Sequence, residues 1–350
     1  MGDWKDKLSN PLQVGGIETA ILDNGPGKGT RIAWINTGTG LRYKVIIDRG
    51  LDIAEAFYNA HGLAWISHQG VTAPRSGGYR GIEWLNAFGG GLVTTCGLDH
   101  VGGPESDEYG ERGLHSQFSG LSATIESIVQ PDLLTGRLDM HITGIVKQSQ
   151  PLGAQLVLKR TISGKLGEST IRIQDEVVNY GNIPAPHMLL YHINLGWPLV
   201  DEGVDICWKG PWTSREGDDK ARIFREGQPF RKGRPPLADH VGDGEEAAFI
   251  DVEADAEGTC LCGIHNPELG IALTVAFEKA QLPWLTNWQH WGPGEYVVGL
   301  EPGTHPPIGQ SQARSDGSLI FLQPKERRDY GVTIQVLDQP ADIAAFLRVT

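Results

Sequence analysis

The sequence predicts an all-β protein, a large antiparallel β-sandwich with few short helices. Apolar and polar residues alternate along most of the 350 residues, whereas long helical periods are scarce. Turns rich in Gly, Pro, Asn and Asp separate the alternating segments, and the 47 glycines allow many tight turns. Strands that are apolar on one side only are typical of antiparallel sheets, because one face packs on the core and the other meets water.

The pattern is clearest in residues 154–163, where Leu156, Leu158 and Ile162 share one strand face. We expect helix only at the two ends and near residues 218–224, with Pro340 opening the last helix at 341–347. The predicted strands are 31–37, 43–47, 121–129, 137–147, 154–163, 169–179, 188–195, 259–264, 271–277, 296–301, 318–322 and 331–337.

The chain has the composition of an ordinary globular protein, with 39% apolar and 21% charged residues. Its net charge is −13, from 30 basic and 43 acidic residues, which argues against nucleic acid or an anionic membrane as a partner. No apolar run reaches the roughly 20 residues that span a bilayer, and no leader segment opens the chain. The four cysteines form no CxxC pair, so we expect a cytoplasmic protein with reduced, buried thiols.

We expect residues 1–350 to form a single domain, because all-β domains often exceed the usual domain size. The loop-like stretch at 225–244 is rich in Gly, Pro, Arg and Asp, and it reads as a surface loop within that domain. Whether the protein is a monomer or a homodimer stays open.

One candidate site lies in the apolar segment 188–198. On a strand, His192 and Asn194 share one face. If they are buried, these polar side chains need hydrogen-bond partners, which either the protein or a bound sugar supplies. Trp197 follows directly and offers a flat apolar surface to a pyranose ring.

A second candidate segment, residues 284–291, contains three tryptophans and Gln289, and it leads to Glu301. Tryptophans line carbohydrate sites, but they also fill cores. Glu301 ends an apolar strand before a proline, so its carboxylate is either bound by backbone N–H groups or kept for function.

Three further features each have a structural and a functional interpretation. The polar turn at 48–52 is typical of a hairpin held by an Asp side chain. Glycines 89–91 are not a phosphate loop, because no Lys-Ser/Thr ending or helix follows, and they indicate close approach of the backbone to a ligand or to another sheet. Arg80 is a ligand contact or simply exposed, and His115 is more often structural than catalytic when taken alone.

Together these residues resemble the aldose 1-epimerase superfamily, in particular a bacterial branch of uncharacterised epimerase-like proteins. The resemblance extends from the Asp48-Arg49-Gly50 turn to Arg314. It is carried by the motifs GGGL…TCGL at 89–98, LYHINLG…PL at 190–199 and GLEPGT at 299–304. It implies a galactose mutarotase-like β-sandwich, with His192 as general acid and Glu301 as general base.

The resemblance also implies that His115 and Arg80 bind the sugar, with Asn194, Trp197 and Gln289 completing the candidate set. The binding Asp that the family has between the His and the Glu has no match here, which leaves the sugar open. The expected reaction opens the pyranose by moving O–H protons, with the carboxylate and the imidazolium on opposite sides of the sugar. No electrons move, so we expect an isomerase that needs neither cofactor nor metal.

Three alternatives stay open. The same sandwich can serve as a non-catalytic carbohydrate-binding protein. The site can act as an epimerase, isomerase or lyase of an oxidised or sulfonated sugar, for which Arg80 and Arg112 would bind the charged group. A metal site assembled by folding would draw on five histidines, namely His100, His115, His192, His290 and His305.

Overall fold

The computed structural model describes residues 7–75, 79–217, 220–242 and 244–350. Within them the chain forms twenty-three strands, numbered β1 to β23 in chain order. The first twelve are β1 Gly16–Ile21, β2 Arg31–Asn36, β3 Leu41–Ile46, β4 Asp52–Tyr58, β5 His61–Gly62, β6 Thr94–Leu98, β7 Glu105–Asp107, β8 Gly110–Arg112, β9 Thr124–Val129, β10 Asp139–Ser149, β11 Gln155–Lys165 and β12 Thr170–Asn179. The others are β13 Ala185–His192, β14 Asn194–Gly196, β15 Asp205–Cys207, β16 Trp212–Ser214, β17 Glu246–Asp251, β18 Thr259–Asn266, β19 Ile271–Glu278, β20 Trp284–Gly292, β21 Glu295–Gly303, β22 Ile320–Leu322 and β23 Arg327–Leu337.

Helical structure is sparse, as the sequence predicts. The described residues form helix α1 at Gln310–Ser315, which was not predicted, and helix α2 at Pro340–Val349, which confirms the helix predicted after Pro340. Short 3-10 helices occur at Pro11–Gln13, Glu83–Ala87 and Phe118–Gly120. Neither α-helix is both long and apolar enough to cross a membrane, and the same holds for every other helix in the described part of the chain.

Three large antiparallel sheets make up the molecule, which confirms the predicted fold class. The first sheet runs β1-β2-β3-β4-β5, and the second runs β15-β18-β19-β23-β12-β11-β10-β9. The third runs β16-β17-β20-β21-β13-β22, with β14 pairing to β21 and β6 pairing to β13. Strands β7 and β8 form a separate hairpin. One continuous cluster of buried apolar side chains draws on all three large sheets.

The predicted alternation is confirmed in β11, where every second residue is buried. Leu156, Leu158 and Ile162 lie in the core as expected, and Arg160 lies on the same face, fully buried. The Arg160 guanidinium donates to both carboxylate oxygens of Asp175, its register partner on β12, at 2.9 and 2.6 Å. The four cysteines are also buried and unpaired, as expected.

The helix predicted near 218–224 is wrong for residues 220–224, which form turns and bends, while residues 218–219 lie outside the described part of the chain. The reason is a competing acceptor. The backbone N–H groups of Arg222, Ile223 and Phe224 all point at the buried carboxylate of Glu246, so they are not available for a helical turn.

In the described residues, ten strands have no counterpart among the predicted strands, namely β1, β4, β5, β6, β7, β8, β15, β16, β17 and β20. All five residues of β6 are buried, so its sequence shows no alternation between core and water. In β20, Thr286 and Trp288 share one face while Leu285 and Trp291 join the core on the other, and both faces are largely buried. Strand β20 matters most here, because it carries part of the site described next.

Candidate active site

The outer face of the third sheet carries the candidate site. On β13, Tyr191 points into the core, and His192, the next residue, points the other way. On β21, Leu300 is in the core and Glu301 lies on the outer face beside His192. Thr286 on β20 is the register partner of Glu301, so strand pairing brings three polar side chains from neighbouring strands together.

His192 and Glu301 lie in direct contact. The His192 Nδ1 atom is 3.2 Å from the Glu301 Oε1 atom, but the two are not aligned as a hydrogen bond. Both atoms and Thr286 Oγ1 are buried and have no hydrogen-bond partner among the described residues. Each unsatisfied buried group costs about 1–3 kcal/mol, so a ligand with hydroxyl groups would gain by filling these positions.

This contact corrects the expectation that the two groups lie on opposite sides of a sugar. No pyranose ring fits between atoms 3.2 Å apart. A ligand that contacts both groups in this arrangement must therefore lie over the pair and not between its members.

Aromatic rings surround the His192 imidazole. Phe88 and Trp288 have ring centroids 5.2 and 5.4 Å from it, and those of His115 and Trp84 are 6.0 and 6.3 Å away. Because these rings exclude water, burial lowers the pKa of His192 to about 4, and the imidazole is neutral at pH 7.

Burial acts on Glu301 in the opposite direction. Loss of water raises its pKa well above the usual range, nearby Glu245 raises it further, and Arg215 partly offsets the effect. Burial disfavours both charged forms, so the pair favours a protonated carboxyl group beside a neutral imidazole.

His115 is held in a strained orientation beside the pair. His115 and Ser116 have φ angles of 53° and 61°, in the left-handed region that non-glycine residues rarely adopt. The Ser116 hydroxyl donates to Asp99 at 2.5 Å and helps to fix this turn. The His115 Nδ1 atom accepts the Gly102 N–H at 3.3 Å, which leaves an Nε2–H donor on the other side of the ring.

We call the space around these groups the inner cleft, which has a volume of about 430 Å³ and lies within the usual range for ligand pockets. Arg215 and Glu245 also line it. The Arg215 guanidinium is 2.5 Å from Glu216 and also pairs with Glu245, so its charge is already balanced.

Asn194 does not line the inner cleft but bonds to the backbone next to it. It is fully buried, and its side-chain amide donates to the carbonyls of His192 at 3.0 Å and Gly91 at 2.9 Å. These bonds hold the break between β13 and β14. The Asn194 Oδ1 atom has no partner among the described residues.

Gln289, expected to bind the sugar, points away from the inner cleft. It lies on the core face of β20, where its amide donates to the Phe230 carbonyl at 2.8 Å and to Asn287 Oδ1 at 3.0 Å. The two-residue period of the strand instead places Thr286 and Trp288 in the cleft.

Trp197 and Arg80 also lie elsewhere. Trp197 is 68% exposed and lines a separate groove of about 590 Å³ together with Phe57 and Leu269. Arg80 is exposed and is not among the described residues that line the inner cleft. Arg112, the other cation considered for a charged sugar, is bound by Glu105 and Asp107 at 2.6 and 2.5 Å.

The residues predicted for the site leave out several that line the inner cleft, among them Thr286, Trp288, Arg215 and Glu245. Thr286 and Trp288 carry a recoverable signal, since they share the strand face that excludes Gln289. Arg215 and Glu245 lie next to the ends of β16 and β17, and no local sequence pattern indicates that they reach the site.

The five histidines considered as metal ligands do not converge. In the described ranges, no group of three or more His, Cys, Asp or Glu side chains is arranged to hold a metal ion. His290 contacts the Glu295 carbonyl, His305 contacts Thr304 and the Ser318 carbonyl, and His100 contacts the Gly103 carbonyl.

Solved structures share this fold. A candidate aldose 1-epimerase from Klebsiella pneumoniae superimposes with a TM-score of 0.82 at 22% identity, covering 95% of this chain and 86% of that protein. A galactose mutarotase-like protein from Clostridium acetobutylicum gives a TM-score of 0.62 at 11% identity, covering 92% and 98%. A candidate aldose 1-epimerase from Escherichia coli K12 gives 0.56 at 15%, covering 85% and 96%. The resemblance seen in the sequence is thus confirmed as a galactose mutarotase-like fold.

Sequence comparison adds one family. The model of a family described as a domain of unknown function, DUF4432, matches residues 27–336. No curated protein matches the chain.

Proposed function

The chain belongs to the DUF4432 family, whose function is unknown, and from its inner cleft we propose that it is an aldose 1-epimerase-like isomerase of an uncharged sugar. One observation carries the proposal. His192 and Glu301 place two buried polar atoms without partners 3.2 Å apart at the base of an aromatic cleft. Fold likeness agrees with this function but does not establish it.

The spacing of the pair suits the reaction. Ring opening removes the proton from the anomeric hydroxyl and delivers a proton to the ring oxygen. Both oxygens are bonded to the same carbon, so an acceptor and a donor that lie side by side can reach both. His192 and Glu301 are two such groups.

One proton serves the pair in both directions. In the empty cleft, burial favours Glu301 as the acid and neutral His192 as the base. The family resemblance assigns the roles the other way, and that assignment requires the proton to cross the 3.2 Å contact when the sugar binds. In either case the sugar gives up one proton and receives one. Rotation about C1–C2 and the reverse transfer then close the ring as the other anomer.

Neighbouring side chains would orient the sugar. The Nε2–H of His115 is placed to donate to a hydroxyl, and Trp288 offers an apolar surface to the C–H face of the ring. Glu245 lies between His192 and Glu301 in sequence and lines the cleft. We assign it the place of the acidic binding residue that the sequence motifs left unmatched.

The charges at the cleft favour a neutral substrate over an oxidised or sulfonated sugar. Arg215 pairs with two carboxylates, those of Glu216 and Glu245, so its positive charge is already balanced and does not favour an anionic substrate. Two other arginines were considered for that role. Arg112 is bound by Glu105 and Asp107, and Arg80 is not among the described residues that line the cleft.

Saturation-transfer NMR tests the proposal, because it measures exchange between anomers at equilibrium. We expect the protein to accelerate exchange of at least one neutral aldose above the buffer rate, and to lose this effect in Glu301→Gln. A sugar that binds to the protein but exchanges at the buffer rate would instead indicate a carbohydrate-binding protein.

A further inference from the structure

A second compartment, here called the outer groove, continues the inner cleft away from the His192–Glu301 pair. Its volume is about 520 Å³. The residues common to both compartments are Leu85, Phe88, Glu245 and Trp288. A ligand can therefore extend from one compartment into the other without leaving the protein surface.

The floor of the outer groove is aromatic. Trp65 and Trp288 have ring centroids 6.2 Å apart and meet nearly edge to face, at 71°. Trp288 also lies 5.4 Å from the His192 ring, so one indole borders both compartments. Leu85 is 48% exposed and adds an apolar side chain to the lining that the two compartments share. Flat apolar surfaces of this kind stack against the C–H faces of sugar rings.

Polar side chains also line the outer groove. They are the exposed His68 and Gln69 and the carboxylates of Glu245 and Glu295. Together they supply donors and acceptors for hydroxyl groups. The described lining contains two carboxylates and neither Lys nor Arg, and the Arg215 that pairs with Glu245 is also bound by Glu216, so this lining offers no free cation to a phosphate or carboxylate group.

We propose that the outer groove is a second saccharide subsite, which holds a sugar residue attached to the one at His192 and Glu301. The orientation of this substrate rests on the proposed function. Anomer exchange needs a free hydroxyl on C1, and C1 must lie against the catalytic pair. The second residue is then joined through another hydroxyl of the first, which makes the substrate an uncharged reducing disaccharide or longer saccharide.

Binding measurements separate this proposal from the catalytic one. Isothermal titration calorimetry would compare glucose with reducing disaccharides of glucose joined through O3, O4 and O6. We expect at least one disaccharide to bind about tenfold tighter than glucose, the size of effect that one added pocket contact provides. Equal or weaker binding of every disaccharide would overturn the subsite.

The variant His68→Ala/Gln69→Ala tests the location. Both side chains are exposed, so their removal leaves the core intact. We expect the disaccharide-to-glucose affinity ratio to fall toward one. The matched control is His61→Ala, a histidine in the separate groove beside Trp197, which should keep the ratio. A ratio that both variants keep would contradict the proposal.

Anomer exchange of the same sugars tells the two proposals apart. If disaccharides bind tighter but no sugar exchanges faster than in buffer, the subsite stands and the isomerase proposal fails. If glucose exchange is accelerated and the disaccharides gain neither affinity nor kcat/KM, the isomerase stands and the subsite fails.

Discussion

Tyr191 and His192 are consecutive residues of one strand, and each joins a buried cluster of ionisable groups. Tyr191 points into the core, where its hydroxyl donates to Asp175 at 2.7 Å. Asp175 also accepts two bonds from Arg160, which donates in addition to Asp52 at 3.0 Å. On the opposite face, His192 and its neighbour Glu301 each leave a buried atom without a partner.

The difference between the two clusters separates structure from function. Removing one partner from a buried charge whose hydrogen bonds are complete destabilises the fold, because another charge is left unpaired in a low dielectric. A buried polar pair whose bonds are incomplete costs stability, and such a cost is typical of a site prepared for a ligand. We therefore expect changes in the core cluster to affect stability, and changes in the outer cluster to affect the proposed reaction.

The largest expected effect is on catalysis by Glu301→Gln. The amide has nearly the same shape but cannot exchange a proton, so anomer exchange should fall by about 10²–10⁴-fold. The free energy of unfolding should not fall, since the carboxyl group has no hydrogen bond at Oε1 to lose and the amide avoids the cost of a buried negative charge. Saturation-transfer NMR and urea unfolding measure the two quantities. A large loss of stability with activity retained would reverse the assignment of the clusters.

Asp175→Asn should show the opposite pattern. Arg160 stays fully buried with only Asp52 as a charged partner, so we expect a loss of about 3–5 kcal/mol in the free energy of unfolding. The adjacent Glu176 pairs with Arg327 at the surface, and Glu176→Gln should cost no more than about 1 kcal/mol. Urea unfolding of both variants tests this contrast. Equal stability of the two variants would contradict it.

His192 and Glu301 should each make the free energy of unfolding depend on pH, with opposite signs. The folded-state pKa of Glu301 is raised, so the folded protein binds more protons, and its stability falls as pH rises from about 4.3 through that pKa. The folded-state pKa of His192 is lowered to about 4, so stability falls as pH drops from about 6.5 toward 4.

Urea unfolding of Glu301→Gln and His192→Gln at about pH 5 and about pH 8 resolves the two contributions. Relative to the unsubstituted protein, Glu301→Gln should gain stability as the pH rises. His192→Gln should gain as the pH falls. The same slope for both variants and the unsubstituted protein would show that neither pKa is shifted by folding.

The smallest effect is expected for Trp197→Ala. The sequence interpretation places this ring against the sugar, whereas the structure places Trp197, which is 68% exposed, in a separate groove. We expect kcat/KM for anomer exchange to stay within about twofold of the original. A loss of tenfold or more would mean that the groove at Trp197 belongs to the site after all.

Alternation of apolar residues predicted most of the fold, since strands such as β11 bury every second residue. It missed ten strands in the described residues, and in two of these the reason is continuous burial. Strand β6 is buried throughout and β20 is largely buried on both faces, so neither has the contrast between core and water on which the prediction depends. Near residues 220–224, the carboxylate of Glu246 decides the local structure, and it lies more than twenty residues along the chain.

The candidate site was predictable in part. Motifs at the ends of two strands indicated His192 and Glu301, and strand pairing brings them together. Gln289 was wrongly predicted to bind the sugar. The sequence shows the two-residue period of a strand, but not which of its two faces points to the core. Glu245 and Arg215 come from strand ends whose positions depend on the third sheet as a whole, so no local pattern could reveal them.

The most direct test of the central claim is a crystal structure of Glu301→Gln with a neutral monosaccharide. We expect the anomeric hydroxyl and the ring oxygen to lie within about 2.6–3.2 Å of His192 and residue 301. The two sugar oxygens would then bond to the buried atoms that have no hydrogen-bond partner among the described residues. A sugar bound only in the groove at Trp197, or with its anomeric carbon turned away from His192, would contradict it.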